Sequence, residues 1–128
     1  MNILLDSQAV IWYVDQDHLL SSTAHSAITD PGNDLQVSAA SIWEIAIKVG
    51  LGKLSLSLPY RQWMTKVMND LELSILPVTV EYADVQSSLP YHHGDPFDRL
   101  MVAQALTDKI PIVSSDSVFD SYGVKRLW

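Results

Sequence analysis

Four carboxylic acids spread along the chain, Asp6, Glu44, Asp98 and Asp116, carry the clearest chemical signal in the sequence. Asp6 follows the apolar run Ile3-Leu4-Leu5, and Asp116 follows Ile112-Val113-Ser114-Ser115. Both runs read as short buried strands. Glu44 and Asp98 sit near the starts of helical patterns. In an open α/β sheet, ligands bind beyond the carboxyl ends of the strands, so loops and helix starts there can bring all four acids into one pocket. Carboxylate oxygens are hard ligands suited to Mg²⁺ or Mn²⁺. Without a cation such a cluster repels itself, so the pattern reads as a metal site.

Each acid also has a plainer role open to it. Asp6 and Asp116 can cap the helices that follow them. Glu44 and Lys48 form one polar stripe on an otherwise apolar helix, Ser41-Ile42-Trp43-Glu44-Ile45-Ala46-Ile47-Lys48-Val49. On the surface that stripe would be an i,i+4 ion pair worth a few tenths of a kcal/mol, roughly 0.2–0.5. A helix this apolar is buried on most sides, which turns the stripe toward a cleft, with Lys48 as a phosphate contact. In Asp95-Pro96-Phe97-Asp98-Arg99, Asp95 and Pro96 make a good cap and first helical residue. Asp98 shares a stripe with Val102, Ala105 and Leu106, and an acid in line with core positions needs a partner. Arg99 can neutralise phosphate or pair with an acid. Adjacent His92 and His93 read as a surface loop. Trp12, Trp43, Trp63 and Trp128 read as core or interface.

The elements that must position these groups follow from apolar runs and breakers. Strands are expected at Asn2–Leu5, Leu35–Ser38, Leu73–Leu76, Ile112–Ser114 and Val124–Trp128. Helices are expected at Ser7–Val14, Ser22–Thr29, Ala40–Val49, Pro59–Leu71, from the Thr79 cap to Ser87, and at Pro96–Asp108, with a short one at Ser117–Asp120. Gly50 and Gly52 stop the third helix, and Leu54, Leu56 and Leu58 alternate with serines in an extended stretch. Strands alternating with helices imply a parallel sheet covered on both faces.

With 128 residues, 48% hydrophobic and 18% charged, the chain suits a single domain, 1–128, with a sizeable core. No cysteine is present, which excludes disulfides, zinc–thiolate sites and thiol catalysis. The apolar start, Met1 to Val14, carries Asp6, lacks a basic leader and is too short to span a membrane, so a cytoplasmic protein is expected. A net charge of −7 argues against a broad basic nucleic-acid surface but not against a nuclease whose bound cations offset its acids.

Four ordered blocks resemble the PIN domain, and within it the VapC-type toxins of toxin–antitoxin pairs. They are Leu4-Leu5-Asp6-Ser7 with Trp12; Ser38 to Lys48 with Trp43-Glu44-Ile45; His93-Gly94-Asp95-Pro96-Phe97-Asp98-Arg99-Leu100 with Ala103-Gln104-Ala105; and Ser114-Ser115-Asp116 with Phe119 and Tyr122. The resemblance implies a three-layer α/β/α sandwich on a mostly parallel five-stranded sheet. It implies metal-binding, catalytic acids at Asp6, Glu44, Asp98 and Asp116, and Mg²⁺- or Mn²⁺-dependent cleavage of RNA. It also implies a homodimer and inhibition by a small antitoxin with a basic tail; the apolar side chains Ile11, Trp12 and Val14 of the first helix are expected to supply part of the groove for that tail or the dimer contact. Ser114 stands where Thr is usual, and Ser7-Gln8 where Thr-His is common; Ser7 keeps the hydroxyl. Two other readings compete. A non-catalytic PIN-like binding module would not need all four acids. A receiver-type phosphotransfer domain would need an acidic pair after the first strand, where Asp6 stands alone.

Overall fold

A computed structural model describes all residues from Met1 to Trp128. Its centre is β1 (Asn2–Leu5), whose Ile3, Leu4 and Leu5 are fully buried. On one side β1 pairs in parallel with β2 (Asp34–Ser38), which pairs with β3 (Ser74–Leu76). On the other side it pairs with β4 (Ile112–Val113), which pairs with β5 (Arg126–Leu127). The order is β3-β2-β1-β4-β5 and every pairing is parallel, as the alternation of apolar runs and helical patterns requires.

Alternate residues of a strand face opposite sides of its sheet, and here that parity separates two cores. Ile3, Leu5, Leu35, Val37 and Val113 join one core with α1 (Ser7–Asp15), α2 (Ser22–Thr29) and α4 (Tyr60–Asp70), and Ile45 of α3 (Ala39–Gly50) reaches it. Leu4 and Ile112 join Leu76 in the other, under α6 (Pro96–Asp108) and Phe119 of α7 (Val118–Ser121). Between the layers α5 (Val80–Ser87) packs on α6, with Tyr82 against Ala40 and Leu100. The product is the three-layer sandwich. Since β2 and β4 lie on opposite sides of β1, the chain reverses direction across the sheet between β1 and β4, which is where open α/β sheets hold ligands.

Boundaries differ from expectation by a residue or two at most elements. Gly50 closes α3 rather than stopping it, and Gly52 makes the turn at a φ of +70°, a conformation that costs glycine little. The Leu54–Leu58 stretch is not a strand; Leu54 and Leu56 pack against the first core from an irregular connection. That connection is pinned by Asp15. Its carboxylate accepts from Ser57 N (3.0 Å), Ser57 Oγ (2.6 Å) and the indole N–H of Trp63 (3.1 Å). Trp63 is fully buried and Trp12 packs at a tilt against Trp128, whereas Trp43 is 64% exposed. No helix is long and apolar enough to cross a membrane.

Removing the Asp15 carboxylate leaves the buried indole N–H without an acceptor, at a cost of about 1–3 kcal/mol. Asp15→Ala is therefore expected to lower the urea midpoint by that equivalent. A midpoint equal to the parent's would show that the connection is held by apolar packing alone.

Candidate active site

The carboxyl ends of β1 and β4 deliver the first acids. Asp6 leaves β1 with extended backbone and caps α1, its Oδ1 accepting from Ala9 N at 2.7 Å. Ser114 and Asp116 follow β4; Ser114 Oγ accepts from Asp116 N at 3.0 Å and Asp116 Oδ1 accepts from Val118 N at 3.0 Å. The capping roles open to Asp6 and Asp116 are thus filled, without withdrawing either from the cleft. Glu44 projects from α3 and Asp98 from the first turn of α6, which Asp95 caps by accepting from Phe97 N and Asp98 N.

All four acids line one cleft of about 450 Å³, together with Asp95, Ser7, Gln8, Lys48 and Lys53. Ser7 Oγ donates to Glu44 Oε1 at 2.7 Å, and Lys48 Nζ lies 3.0 Å from Glu44 Oε2. The ion pair is one-sided in exposure: Glu44 is buried and Lys48 half-exposed at the mouth. Five carboxylates against two lysines leave the cleft strongly anionic.

Burial and neighbouring charge raise two of these acids, Asp6 and Asp98. Burial pushes the Asp6 carboxyl up to about 6, helped by the charges of Asp116 and Glu44 and opposed by the Ser114 hydroxyl and the Ala9 N–H. Asp98 is pushed up to about 7, first by burial, then by Asp95, Glu44 and Asp6, with His93 pulling the other way.

Two sequence expectations change here. Arg99 does not reach the cleft. Only 4% exposed, its guanidinium donates to the backbone carbonyls of Pro90 (2.9 Å), Gln86 (3.1 Å) and Leu89 (3.2 Å), under the ring of Tyr91. It follows Asp98 by one helical position, so it projects away from the acids. It anchors a loop; it contacts neither phosphate nor acid. His93 is not a bystander in that loop. Its Nε2 lies 2.9 Å from Asp98 Oδ2 and 3.6 Å from Asp116 Oδ2. His93, Asp98 and Asp116 offer ligand atoms within 4.8 Å of one another. His93 stands five residues before Asp98 in the sharpest block, which was the available signal; adjacency to His92 masked it. Lys53 was also missed, and only the turn after α3 brings it to the cleft. The hydroxyls of Ser7 and Ser114 are engaged by site residues, which makes them supports for the acids before any phosphate is present.

The donor set is chemically suited to a hard divalent ion: clustered carboxylate oxygens at a solvent-open cleft, some of them carrying protons that a cation would displace. The PIN domain model matches residues 3–125. The chain belongs to the PIN domain family. It is 30% identical over 116 residues to the ribonuclease VapC22 of Mycobacterium tuberculosis, covering 89% of this chain and 86% of that protein. Among solved structures it is similar to VapBC2 from Rickettsia felis bound to a promoter DNA fragment, with a TM-score of 0.67 and 15% identity over 100% of each chain. It is similar also to FitAcB from Neisseria gonorrhoeae, with a TM-score of 0.66 and 16% identity over 97% of this chain and 95% of that one. These two carry the fold. The PIN match and the homology to a ribonuclease place this protein in a nuclease family.

The raised acids have a direct consequence for stability. Both groups hold protons in the native state that the unfolded chain, at 3.8, has already lost. Their stabilising effect is complete below 3.8 and is lost as pH rises through about 6 and about 7. In chelator, Asp98→Asn should therefore flatten the fall in Tm between pH 5 and 8 and raise Tm at pH 8 by roughly 3–8 °C. A slope unchanged by the substitution would mean that Asp98 is ionised throughout.

Proposed function

We propose that this PIN protein, read as one domain over residues 1–128, is a divalent-metal-dependent endoribonuclease. It acts as the toxin of a VapBC-type pair and uses Mg²⁺ or Mn²⁺ held by Asp6, Glu44, Asp98 and Asp116. The observation that carries this reading is the convergence of those four acids in one cleft whose only basic lining residues are Lys48 and Lys53. A bound divalent ion supplies a water nucleophile at neutral pH and offsets charge that builds on the phosphodiester. The chain's own part is to hold the acids in place. Ser7 fixes Glu44, Ala9 N–H fixes Asp6, and Ser114 fixes the backbone of Asp116. Lys48 and Lys53 stand at the mouth, where an RNA backbone would enter. The hydrolysis needs no covalent nucleophile from the protein.

The sparse basic rim makes tight non-specific RNA binding unfavourable, but the acidic cleft suits an inserted Arg or Lys. A small antitoxin with a basic tail would place its cation on the carboxylates that the metal uses, through charge-assisted hydrogen bonds. Ile11 lines the same cleft as a buried apolar wall for that tail. A homodimer in the cytoplasm completes the proposal; exposed Trp43 and Ile47 of α3 and its C-cap Leu51, spaced four apart, are its suggested contact.

RNA cleavage assays test this reading. Cleavage is expected to stop in chelator and return with Mg²⁺ or Mn²⁺. Asp6→Asn and Glu44→Gln are each expected to lose more than about 100-fold, beyond the 10–100-fold typical of a residue that only supports a ligand. Asp95→Asn, which preserves a good cap, should stay within a few-fold of the parent. Metal-independent cleavage, or full activity without Asp6 and Glu44, would reject the mechanism and favour a non-catalytic binding module.

A further inference from the structure

We propose that His93 is the positioning residue of Asp98: it presents that carboxylate to the metal through an N–H donated from Nε2, and a buried arginine clamp holds it there. This rests on the metal-site reading above and extends it to a residue outside the four acids.

The tautomer follows from the contacts. His93 Nδ1 accepts a hydrogen bond from Asp95 N at 3.1 Å. A nitrogen that accepts has a lone pair directed at its donor, so the ring proton of neutral His93 sits on Nε2. That N–H points to Asp98 Oδ2 at 2.9 Å, with Asp116 Oδ2 further off at 3.6 Å. No protein group hydrogen-bonds the other Asp98 oxygen, which is left to the cleft. His93 accordingly offers a proton, not a lone pair, and serves as a donor to a ligand rather than as a ligand. Carboxylates that bind metals are commonly fixed in this way by a second hydrogen-bonding partner, and losing that partner costs about 10–100-fold in affinity or activity.

The clamp explains why a loop residue can be this definite. His93 N donates to Tyr122 Oη at 3.0 Å, and Arg99 Nη1 lies 3.4 Å from the same oxygen. Arg99 also gathers the carbonyls of Gln86, Leu89 and Pro90, and Tyr91 covers its guanidinium at 3.9 Å. Three carbonyls, a hydroxyl and a ring therefore fix the segment from Gln86 to His93 against α6. Asp98 and Arg99 are neighbours on that helix, so one helix turn carries both the carboxylate and the group that aims its partner.

Calorimetric titration of Mn²⁺ into the full chain tests this without recourse to catalysis, with thermal melting in chelator as the check on folding. His93→Ala should weaken Mn²⁺ binding about 10–100-fold. His93→Gln, whose amide N–H sits near the position of Nε2, should recover most of the loss. Tyr122→Phe should weaken binding in the same direction by less. An Ala variant that binds Mn²⁺ as tightly as the parent, or more tightly, would overturn the proposal and make His93 a bystander or a competitor for the cation's place. A Gln variant as weak as the Ala variant, with a normal melt, would overturn the donor role. If His93→Ala melts far below the parent, the Gln and Phe variants decide. Asp98→Asn separates the two levels of the argument. Its loss of binding with His93→Ala unaffected sinks only this inference, whereas parent-like binding by Asp98→Asn sinks the metal-site reading itself.

Discussion

Repulsion among carboxylates packed at the ends of two adjacent strands is the constraint on which this molecule turns. Asp6 and Asp116 are delivered by neighbouring β1 and β4, and Glu44 and Asp98 are added from helices on the two flanks. Burial makes the Asp6 and Asp98 charges harder to keep, and neighbouring carboxylates add to that cost. The protein meets this with local donors: Ala9 N–H on Asp6, Ser7 and Lys48 on Glu44, His93 on Asp98, Val118 N–H on Asp116. These offset burial and repulsion only in part: Asp6 stays raised to about 6 and Asp98 to about 7. On the proposed reading, a divalent cation would complete what the donors begin.

The fold answers the same constraint in its topology. An all-parallel sheet needs apolar residues on both faces of its central strand, and Ile3-Leu4-Leu5 supplies them to two separate cores. That burial makes β1 rigid just where Asp6 must be placed. The reversal of chain direction between β1 and β4 opens the crevice, and the starts of α1 and α6 face it. Capping therefore serves two ends at once, since Asp6, Asp95 and Asp116 hold helix N–H groups and line the cleft.

Local pattern carried the strands, the major helices and the four acids, because their signals lie within a few residues: an apolar run ending in an acid, a Glu–Lys stripe on an apolar helix, an Asp-Pro cap. The remainder was set by contacts between distant segments. Arg99 looks like a phosphate ligand when read beside Asp98, yet its partners are the carbonyls of Gln86, Leu89 and Pro90. His93 looks like half of a surface His pair until Tyr122 and Asp95 fix its ring. The alternating leucines from Leu54 to Leu58, read as an extended stretch, form an irregular connection that Asp15 holds through Ser57. The family resemblance implied the five-stranded parallel sheet that is found; its blocks contain His93, Arg99 and Tyr122 without assigning them the contacts they make here.

A divalent cation is proposed to complete this carboxylate cluster. Anomalous diffraction from crystals soaked in Mn²⁺ tests it most directly. A Mn²⁺ peak is expected within bonding distance of carboxylate oxygens of Asp6 and Asp98, with the His93 ring still seated beside Asp98. A peak elsewhere on the molecule, or none at millimolar Mn²⁺ with these carboxylates unmoved, would contradict it.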